Sequence, residues 1–138
     1  MSFTYLVDDM FRPDVLGEVD GQPKLIGSQC SKCGDVRFPI AQACPKCRAA
    51  RAELREVPLS TVGKVIAACR IDRAPNMFRA PYVVAYVQLS EGPRVLCQLE
   101  TESLEPSAVI GKSCTLTVAP LFETEGRPVK GYKFKVIP

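Results

Sequence analysis

Residues 30–47 read CSKCGDVRFPIAQACPKC, a stretch built around two Cys-x-x-Cys pairs. The pairs are Cys30 with Cys33 and Cys44 with Cys47. Each pair can present two sulfur atoms from one tight turn, and two such turns complete the tetrahedral shell that zinc prefers. Gly34 follows the first pair, where the turn needs a residue that tolerates a positive φ. The spacing therefore predicts that these four cysteines bind one metal ion.

The predicted metal is a single structural zinc ion. Four thiolates close the coordination shell, whereas a catalytic zinc keeps an open position. Residues 24–50 contain too few large apolar side chains for a core of their own, so the metal would hold this segment folded. Iron in a rubredoxin-like site uses similar turns and is the alternative metal. A thioredoxin-like redox motif needs one pair in a βαβ context, and neither condition is met.

The composition of the chain excludes several classes of function. Its 138 residues include seven cysteines and no histidine, with a net charge of +3. An odd number of cysteines and an N-terminus without a secretory signal pattern predict a cytoplasmic protein without a disulfide framework. Without histidine the chain cannot form a serine–histidine triad or a cysteine–histidine pair. No apolar run reaches the roughly 18 residues of a membrane span, and the charge is too small and dispersed to indicate nucleic-acid binding.

The chain after residue 58 has the alternating pattern of β-strands. Five strands are predicted, at 61–71, 82–89, 94–100, 113–118 and 131–137, with a short helix or turn at 103–109. A closed barrel solves the problem of exposed strand edges for so few strands, and this order of elements is that of an OB-fold. A five-stranded sandwich or an SH3-like barrel is the alternative architecture.

Three segments of different composition are predicted along the chain. They are an N-terminal segment at 1–29, a zinc ribbon at 30–58 and an OB-fold at 59–138. Apolar spacing in the first segment predicts a short helix over Phe3–Met10, which either caps its own domain or docks on a partner. Three further cysteines are predicted to face inward from strands as small buried hydrophobic residues rather than catalytic thiolates. These are Cys69, Cys97 and Cys114.

The cysteine pairs, combined with later motifs, resemble a known family from about Gly21 onward. The later motifs are Phe38-Pro39, Gly63-Lys64-Val65, Ala80-Pro81-Tyr82, Leu89-Ser90-Glu91-Gly92-Pro93-Arg94 and Gly111-Lys112. Proteins of this family have an N-terminal rubredoxin-like zinc ribbon followed by an OB-fold. They accompany enzymes of acyl-CoA metabolism, especially thiolases. The fold class that the resemblance implies is thus mainly β, with these two units in this order.

The resemblance implies a non-catalytic accessory subunit bound to a thiolase-like or hydratase-like partner, with the barrel near the partner's acyl-CoA site. Thiolase chemistry uses a cysteine nucleophile, with histidine and a second cysteine as acid and base. A chain without histidine cannot assemble that set, so any reaction would use residues of the partner. The family often has a tryptophan shortly after the ribbon; this chain has none, and Leu54 or Val57 would take its place.

Residues 72–81, between the first two barrel strands, are the candidate contact region for the partner and for acyl-CoA. The segment is long for a hairpin and combines apolar side chains with arginines, as interface anchors do. Arginine also binds phosphate groups such as those of CoA through paired hydrogen bonds. The candidate contact residues are Arg73, Met77, Phe78 and Arg79. A solvated loop with an aromatic side chain tucked under it is the alternative.

Two other functions use parts of the same pattern. Zinc ribbons and OB-folds both bind single-stranded nucleic acid, which needs a basic groove with exposed aromatic side chains. Lys130, Lys133 and Lys135 form a modest basic strip, but Tyr132 and Phe134 lie on the other face and are predicted to be buried, which disfavours stacking. A rubredoxin-like electron carrier would leave the second half of the chain without a role.

Overall fold

The computed structural model describes residues 4–5, 15–73 and 80–137. The strands are β1 (Thr4–Tyr5), β2 (Leu16–Val19), β3 (Gln22–Cys30), β4 (Val36–Arg37), β5 (Leu54–Pro58), β6 (Val62–Ile71), β7 (Tyr82–Leu89), β8 (Arg94–Glu100), β9 (Ser113–Thr124) and β10 (Arg127–Val136). One short helix, α1 (Pro106–Val109), and a 3-10 turn at Arg51–Glu53 complete the described elements. Nothing helical in these ranges is long and apolar enough to cross a membrane. The prediction of a mainly β protein is confirmed.

Strands β6 to β10 form a closed barrel in the order β6-β7-β8-β10-β9 and back to β6. All neighbouring strands are antiparallel except β8 and β10, which are parallel. This is the strand order of an OB-fold, with α1 between the third and fourth barrel strands. The predicted OB-fold is therefore confirmed, and the predicted bounds of the second and third strands coincide with β7 and β8.

The last two barrel strands are longer than predicted. They form a hairpin whose turn residues, Glu125 and Gly126, have φ values of 52° and 76°. Two consecutive positive φ values are typical of the type I′ turn that suits a two-residue hairpin loop. Pro120 on β9 pairs with Lys130, and Pro128 on β10 pairs with Glu123. Both prolines interrupt the apolar alternation from which strands are predicted.

One hydrophobic core fills the barrel, and it continues into the N-terminal sheet. Its largest side chain is Phe134, which is fully buried. Leu16 and Leu25, from the β2–β3 hairpin, and Leu59, just after β5, belong to the same buried cluster. The ribbon sheet and the barrel therefore pack as one body around a common core.

A β-bulge in β6 changes which of its side chains enter that core. Val65 pairs with Val87, but the next paired residue is Ala67, opposite Tyr86, because Ile66 is the extra residue. After the bulge the alternation shifts by one position, so Ala68 packs against the core. The prediction that Cys69 faces inward is therefore wrong: this residue is exposed. Cys97 and Cys114 are buried, as predicted.

The N-terminal sheet begins upstream of the cysteine pairs. Thr4–Tyr5 pairs with β2, so this part of the predicted helix over Phe3–Met10 is a strand; the remainder of that helix lies outside the described residues. A helix this short is marginal alone, whereas β2 offers a backbone to pair with. β2 continues through Asp20 and Gly21 into β3, which pairs with β4 and β5. The predicted segment boundary between 29 and 30 falls inside β3.

Candidate metal centre

The two Cys-x-x-Cys turns have the same backbone geometry. In the first, the Gly34 N–H donates to the Cys30 carbonyl at 2.9 Å; in the second, the Arg48 N–H donates to the Cys44 carbonyl at 2.8 Å. The residue after each pair has a positive φ, 80° at Gly34 and 64° at Arg48. The expectation for Gly34 is confirmed, and the second turn places an arginine in the conformation that glycine adopts most easily.

These turns bring four sulfur atoms together. All four Sγ atoms lie within 4.8 Å of one another. Across the pairs, Cys30 Sγ lies 3.6 Å from Cys47 Sγ, and Cys33 Sγ lies 3.5 Å from Cys44 Sγ. A tetrahedral zinc with bonds of about 2.3 Å separates its sulfur ligands by about 3.8 Å. The cluster therefore fits one structural zinc ion, with a thiolate at every corner of the tetrahedron.

Backbone N–H groups favour the ligand form of two of these cysteines. The Cys47 N–H, 3.4 Å from Cys44 Sγ, is the main cause that lowers the pKa of Cys44, to about 7. The Cys33 N–H is the main cause that lowers the pKa of Cys30. Because hydrogen bonds to a thiolate stabilise its charge, both turns are prepared for metal binding.

The other two thiols show why the cluster needs a cation. The Ala49 N–H lowers the pKa of Cys47, but desolvation and the neighbouring thiols outweigh it and raise the value to about 12. The pKa of Cys33 is also raised, because desolvation and its neighbours Cys44 and Cys30 outweigh the Asp35 N–H. Four adjacent thiolates repel one another, and a bound divalent cation compensates for that charge.

A small apolar cluster covers the buried side of the centre. Leu54 and Ala49 pack with the buried ligands Cys30 and Cys44, whereas the other two ligands are exposed. The adjoining 3-10 turn is held by Ser31, whose Oγ donates to Glu53 Oε2 at 3.0 Å. Leu54, one of the two residues expected in place of the family's aromatic, thus lies over the metal ligands. The other, Val57, packs against the barrel core.

The candidate partner contacts are only partly described. Arg73 is exposed and lies just after β6, next to the Arg70–Asp72 ion pair with its 2.7 Å separation. Met77, Phe78 and Arg79 lie outside the described residues. The assignment of these four residues to a contact site stays a prediction.

A groove that no sequence motif predicts lies at the junction of ribbon and barrel. Phe38 packs edge-on against Tyr132 with ring centres 6.0 Å apart, and the Tyr132 hydroxyl donates to the Leu96 carbonyl at 3.2 Å. The groove has a volume of about 330 Å³. Its lining residues are Val15, Phe38, Pro39, Tyr86, Arg94, Leu96 and Tyr132. In the sequence, only the Phe38-Pro39 motif points to this region. The residues that it packs against become neighbours only in the folded chain.

The three cysteines outside the metal centre differ in reactivity. Burial is the main cause that raises the pKa of Cys97 to about 12 and that of Cys114 to about 11. At pH 8 both are therefore neutral thiols shielded from reagents. Cys69, by contrast, is exposed.

We expect one thiol of the zinc-loaded protein to react with Ellman's reagent in a rapid phase at pH 8, because Cys69 is exposed outside the metal centre. Replacing Cys69 with serine should abolish this rapid phase. A rapid phase that survives Cys69→Ser would contradict the assignment.

Comparison with known proteins covers both units of the fold. The model of the ChsH2 rubredoxin-like zinc ribbon domain matches residues 20–53, and that of the ChsH2 C-terminal OB-fold domain matches residues 56–119. A DUF35 domain-containing scaffold protein of Methanocaldococcus jannaschii is 34% identical, over 99% of both chains. The benzoylsuccinyl-CoA thiolase subunit BbsA of Geobacter metallireducens is 37% identical, over 92% of this chain and 86% of the relative.

A solved structure shows the same arrangement. The structure described as "Ltp2-ChsH2(DUF35) aldolase" has a chain that superimposes with a TM-score of 0.62 at 25% identity. The match covers 80% of this chain and 84% of the other. The order of the two matched domains agrees with the resemblance drawn from the motifs. So does the similarity to the scaffold protein, which extends over nearly the full length of both chains. This chain belongs to the ChsH2-type DUF35 family, in which a rubredoxin-like zinc ribbon precedes an OB-fold.

Proposed function

We propose that this chain is a cytoplasmic, non-catalytic accessory subunit of a thiolase-type acyl-CoA enzyme complex, which supports assembly of the partner and positions its acyl-CoA. The observation that carries the proposal is the similarity to the thiolase subunit BbsA, 37% identical over 92% of this chain. That similarity spans both the ribbon and the barrel, so it concerns the whole architecture and not only the cysteine motif.

The chemistry of the cysteines supports a non-catalytic role. Four of the seven are arranged as metal ligands, and the pKa values of Cys97 and Cys114 are raised by burial. A thiol with a raised pKa is a poor nucleophile at neutral pH. The chain also contains no histidine that could act as a general base. Catalytic groups for thioester chemistry would therefore come from the partner.

The common core supports a scaffolding role. Because Leu25 of β3 and Leu59 belong to the barrel core, the zinc ribbon is packed onto the barrel. A partner that contacts both units would meet a single preformed surface and would lose little conformational entropy in ordering it. In this proposal Arg73, Met77, Phe78 and Arg79 lie near the partner's acyl-CoA, with the arginines facing CoA phosphates.

The proposal predicts that a thiolase-type or other acyl-CoA enzyme is encoded beside the gene, and co-expression with that enzyme tests it. We expect the two chains to elute together from a sizing column, and the enzyme to turn over its thioester faster with this subunit than without it. The chain alone is expected to show no turnover. Separate elution of the two chains, with unchanged turnover by the enzyme, would contradict the proposal.

A second candidate function is binding of single-stranded nucleic acid. It is favoured by Tyr86, 46% exposed on the barrel strand β7, because OB-folds bind oligonucleotides on this face. Against it, Phe134 is fully buried, and the ring of Tyr132, the other aromatic residue of β10, already packs against Phe38. Tight, salt-sensitive binding of a fluorescent oligothymidine would favour this candidate over the accessory subunit.

A further inference from the structure

We propose that the outer face of β6, β7 and β8 is the surface on which the partner enzyme docks; this inference rests on the proposed function. Two adjacent rows of side chains cross this face. The apolar row consists of Ile66, Tyr86 and Leu96, and the basic row of Lys64, Gln88 and Arg94. The partner that fits them is a protein with an apolar patch edged by carboxylates.

The register of the strands makes the residues of the apolar row neighbours on the sheet. Tyr86 pairs directly with Leu96 on β8 and with Ala67 on β6, next to the bulge residue Ile66. The neighbouring positions on β7, Ala85 and Val87, are buried, so Tyr86 points away from the core. The row is thus a continuous feature of the sheet and does not depend on the conformation of a loop.

The apolar row is open to solvent. The exposed fractions are 37% for Ile66, 46% for Tyr86 and 53% for Leu96. Tyr86 and Leu96 also line the groove of about 330 Å³ beside Phe38 and Tyr132. The groove offers space for an aromatic or branched aliphatic side chain of a partner. An exposed apolar surface with an adjoining pocket is typical of a protein interaction site.

The basic row gives the docking surface its charge. Lys64 pairs with Gln88, which pairs with Arg94, one step along the sheet from the apolar row. Arg94 Nε donates to Gln88 Oε1 at 3.1 Å. Among the described residues, no carboxylate forms a salt bridge with Lys64 or Arg94. Both cations are therefore available to carboxylates of a partner, which would set its orientation.

The charge pattern favours a different protein over a second copy of this chain. In a two-fold symmetric pair the basic row would face either itself or the row on the other side of Tyr86. That row consists of Cys69, Val84 and Gln98 and contains no carboxylate. A pair of identical chains would therefore leave the cations uncompensated. Aliphatic Ile66 and Leu96 also offer no stacking surface to a nucleic acid.

The test measures binding of the purified partner enzyme by titration calorimetry. Leu96→Glu and Tyr86→Glu are expected to raise Kd by about 100-fold or more, because each places a charge in an apolar contact. The matched control is Ile137→Glu, because Ile137 is 41% exposed and lies just after β10; this change should alter Kd by less than about 3-fold. Leu96→Ser is a milder second variant, with an expected loss of about 10-fold. Circular dichroism and zinc content check that each variant is folded.

A charge reversal tests the basic row in the same assay. Arg94→Glu is expected to raise Kd about 10-fold and to reduce the dependence of Kd on salt, whereas Arg127→Glu, at the exposed start of β10, should do neither. If the unaltered chain binds the enzyme and the row variants bind equally well, the docking surface is wrong but the proposed function stands. If the unaltered chain does not bind, both fail.

Two further outcomes would also overturn the docking surface. A dimer of the isolated chain that Leu96→Glu converts to a monomer would identify a second copy as the occupant. Binding of fluorescent oligothymidine that Tyr86→Glu abolishes would identify a nucleic acid instead.

Discussion

Replacing Cys44 with alanine is expected to empty the metal centre and unfold the cysteine turns. Binding to a structural zinc site contributes about 10–16 kcal/mol, and in such sites this is also the free energy that folds the surrounding loops. The replacement removes one of four ligands and leaves three crowded thiols without a compensating cation. Zinc content, measured after purification in the presence of a competing chelator, should fall from about one ion per chain to near zero.

The matched control for this replacement is Cys69→Ser, which alters an exposed cysteine outside the centre and should leave zinc content unchanged. Hydrogen exchange should show lost protection over residues 31–48 in Cys44→Ala. Protection should remain in β7, because Val83, Val87 and Leu89 are buried by barrel residues. Stoichiometric zinc in Cys44→Ala under the chelator would refute the four-cysteine site.

Replacing Phe134 with alanine is expected to lower the free energy of unfolding by about 3–5 kcal/mol. Phe134 is fully buried and pairs with Leu99 on β8 and Leu116 on β9. The parallel contact between β8 and β10 has only two register pairs, so this side chain fills the core where the barrel closes. For a domain with a typical stability of 5–15 kcal/mol, the loss is a large fraction of the total.

Urea denaturation of the zinc-loaded protein measures this loss. Phe134→Leu keeps most of the buried volume and should cost less than about 1.5 kcal/mol, so the difference between the two variants reports the cavity. Equal losses in both variants would show that the aromatic ring itself, and not the volume that it fills, stabilises the barrel.

The metal centre could be predicted from the sequence because its information is local. Each Cys-x-x-Cys turn fixes two ligands within four residues, and Gly34 marks the required backbone conformation. The OB-fold could be predicted for a similar reason. Strands such as β7 and β8 alternate regularly between buried and exposed positions, which leaves a clear pattern in the residues.

The position of the bulge in β6 could not be predicted, because it depends on pairing with another strand. Nothing in the alternation of residues 61–71 shows that Ile66 is unpaired, yet this one extra residue moves Cys69 from the inner face to the outer face. The docking surface could not be predicted for the same reason. Tyr86 and Leu96 are ten residues apart, and only the β7–β8 register makes them neighbours.

The hairpin from β2 to β3 has a local signal in the sequence. Asp20-Gly21 is a dipeptide typical of two-residue hairpin turns, and its φ values of 52° and 78° match that geometry. The common core of ribbon and barrel had no such signal. It depends on Leu25 and Leu59 meeting the barrel in three dimensions, which no short-range pattern encodes.

Strand β3 starts at the hairpin, contributes Leu25 to the barrel core and ends at the metal ligand Cys30. β3 thus runs unbroken from a side chain in the barrel core to a metal ligand, and the short connection between β5 and β6 is fixed to the same core by the buried Leu59. The two units should consequently tumble together in solution, with one rotational correlation time for amides of the ribbon and of the barrel. An enzyme that binds either unit would therefore also fix the orientation of the other unit.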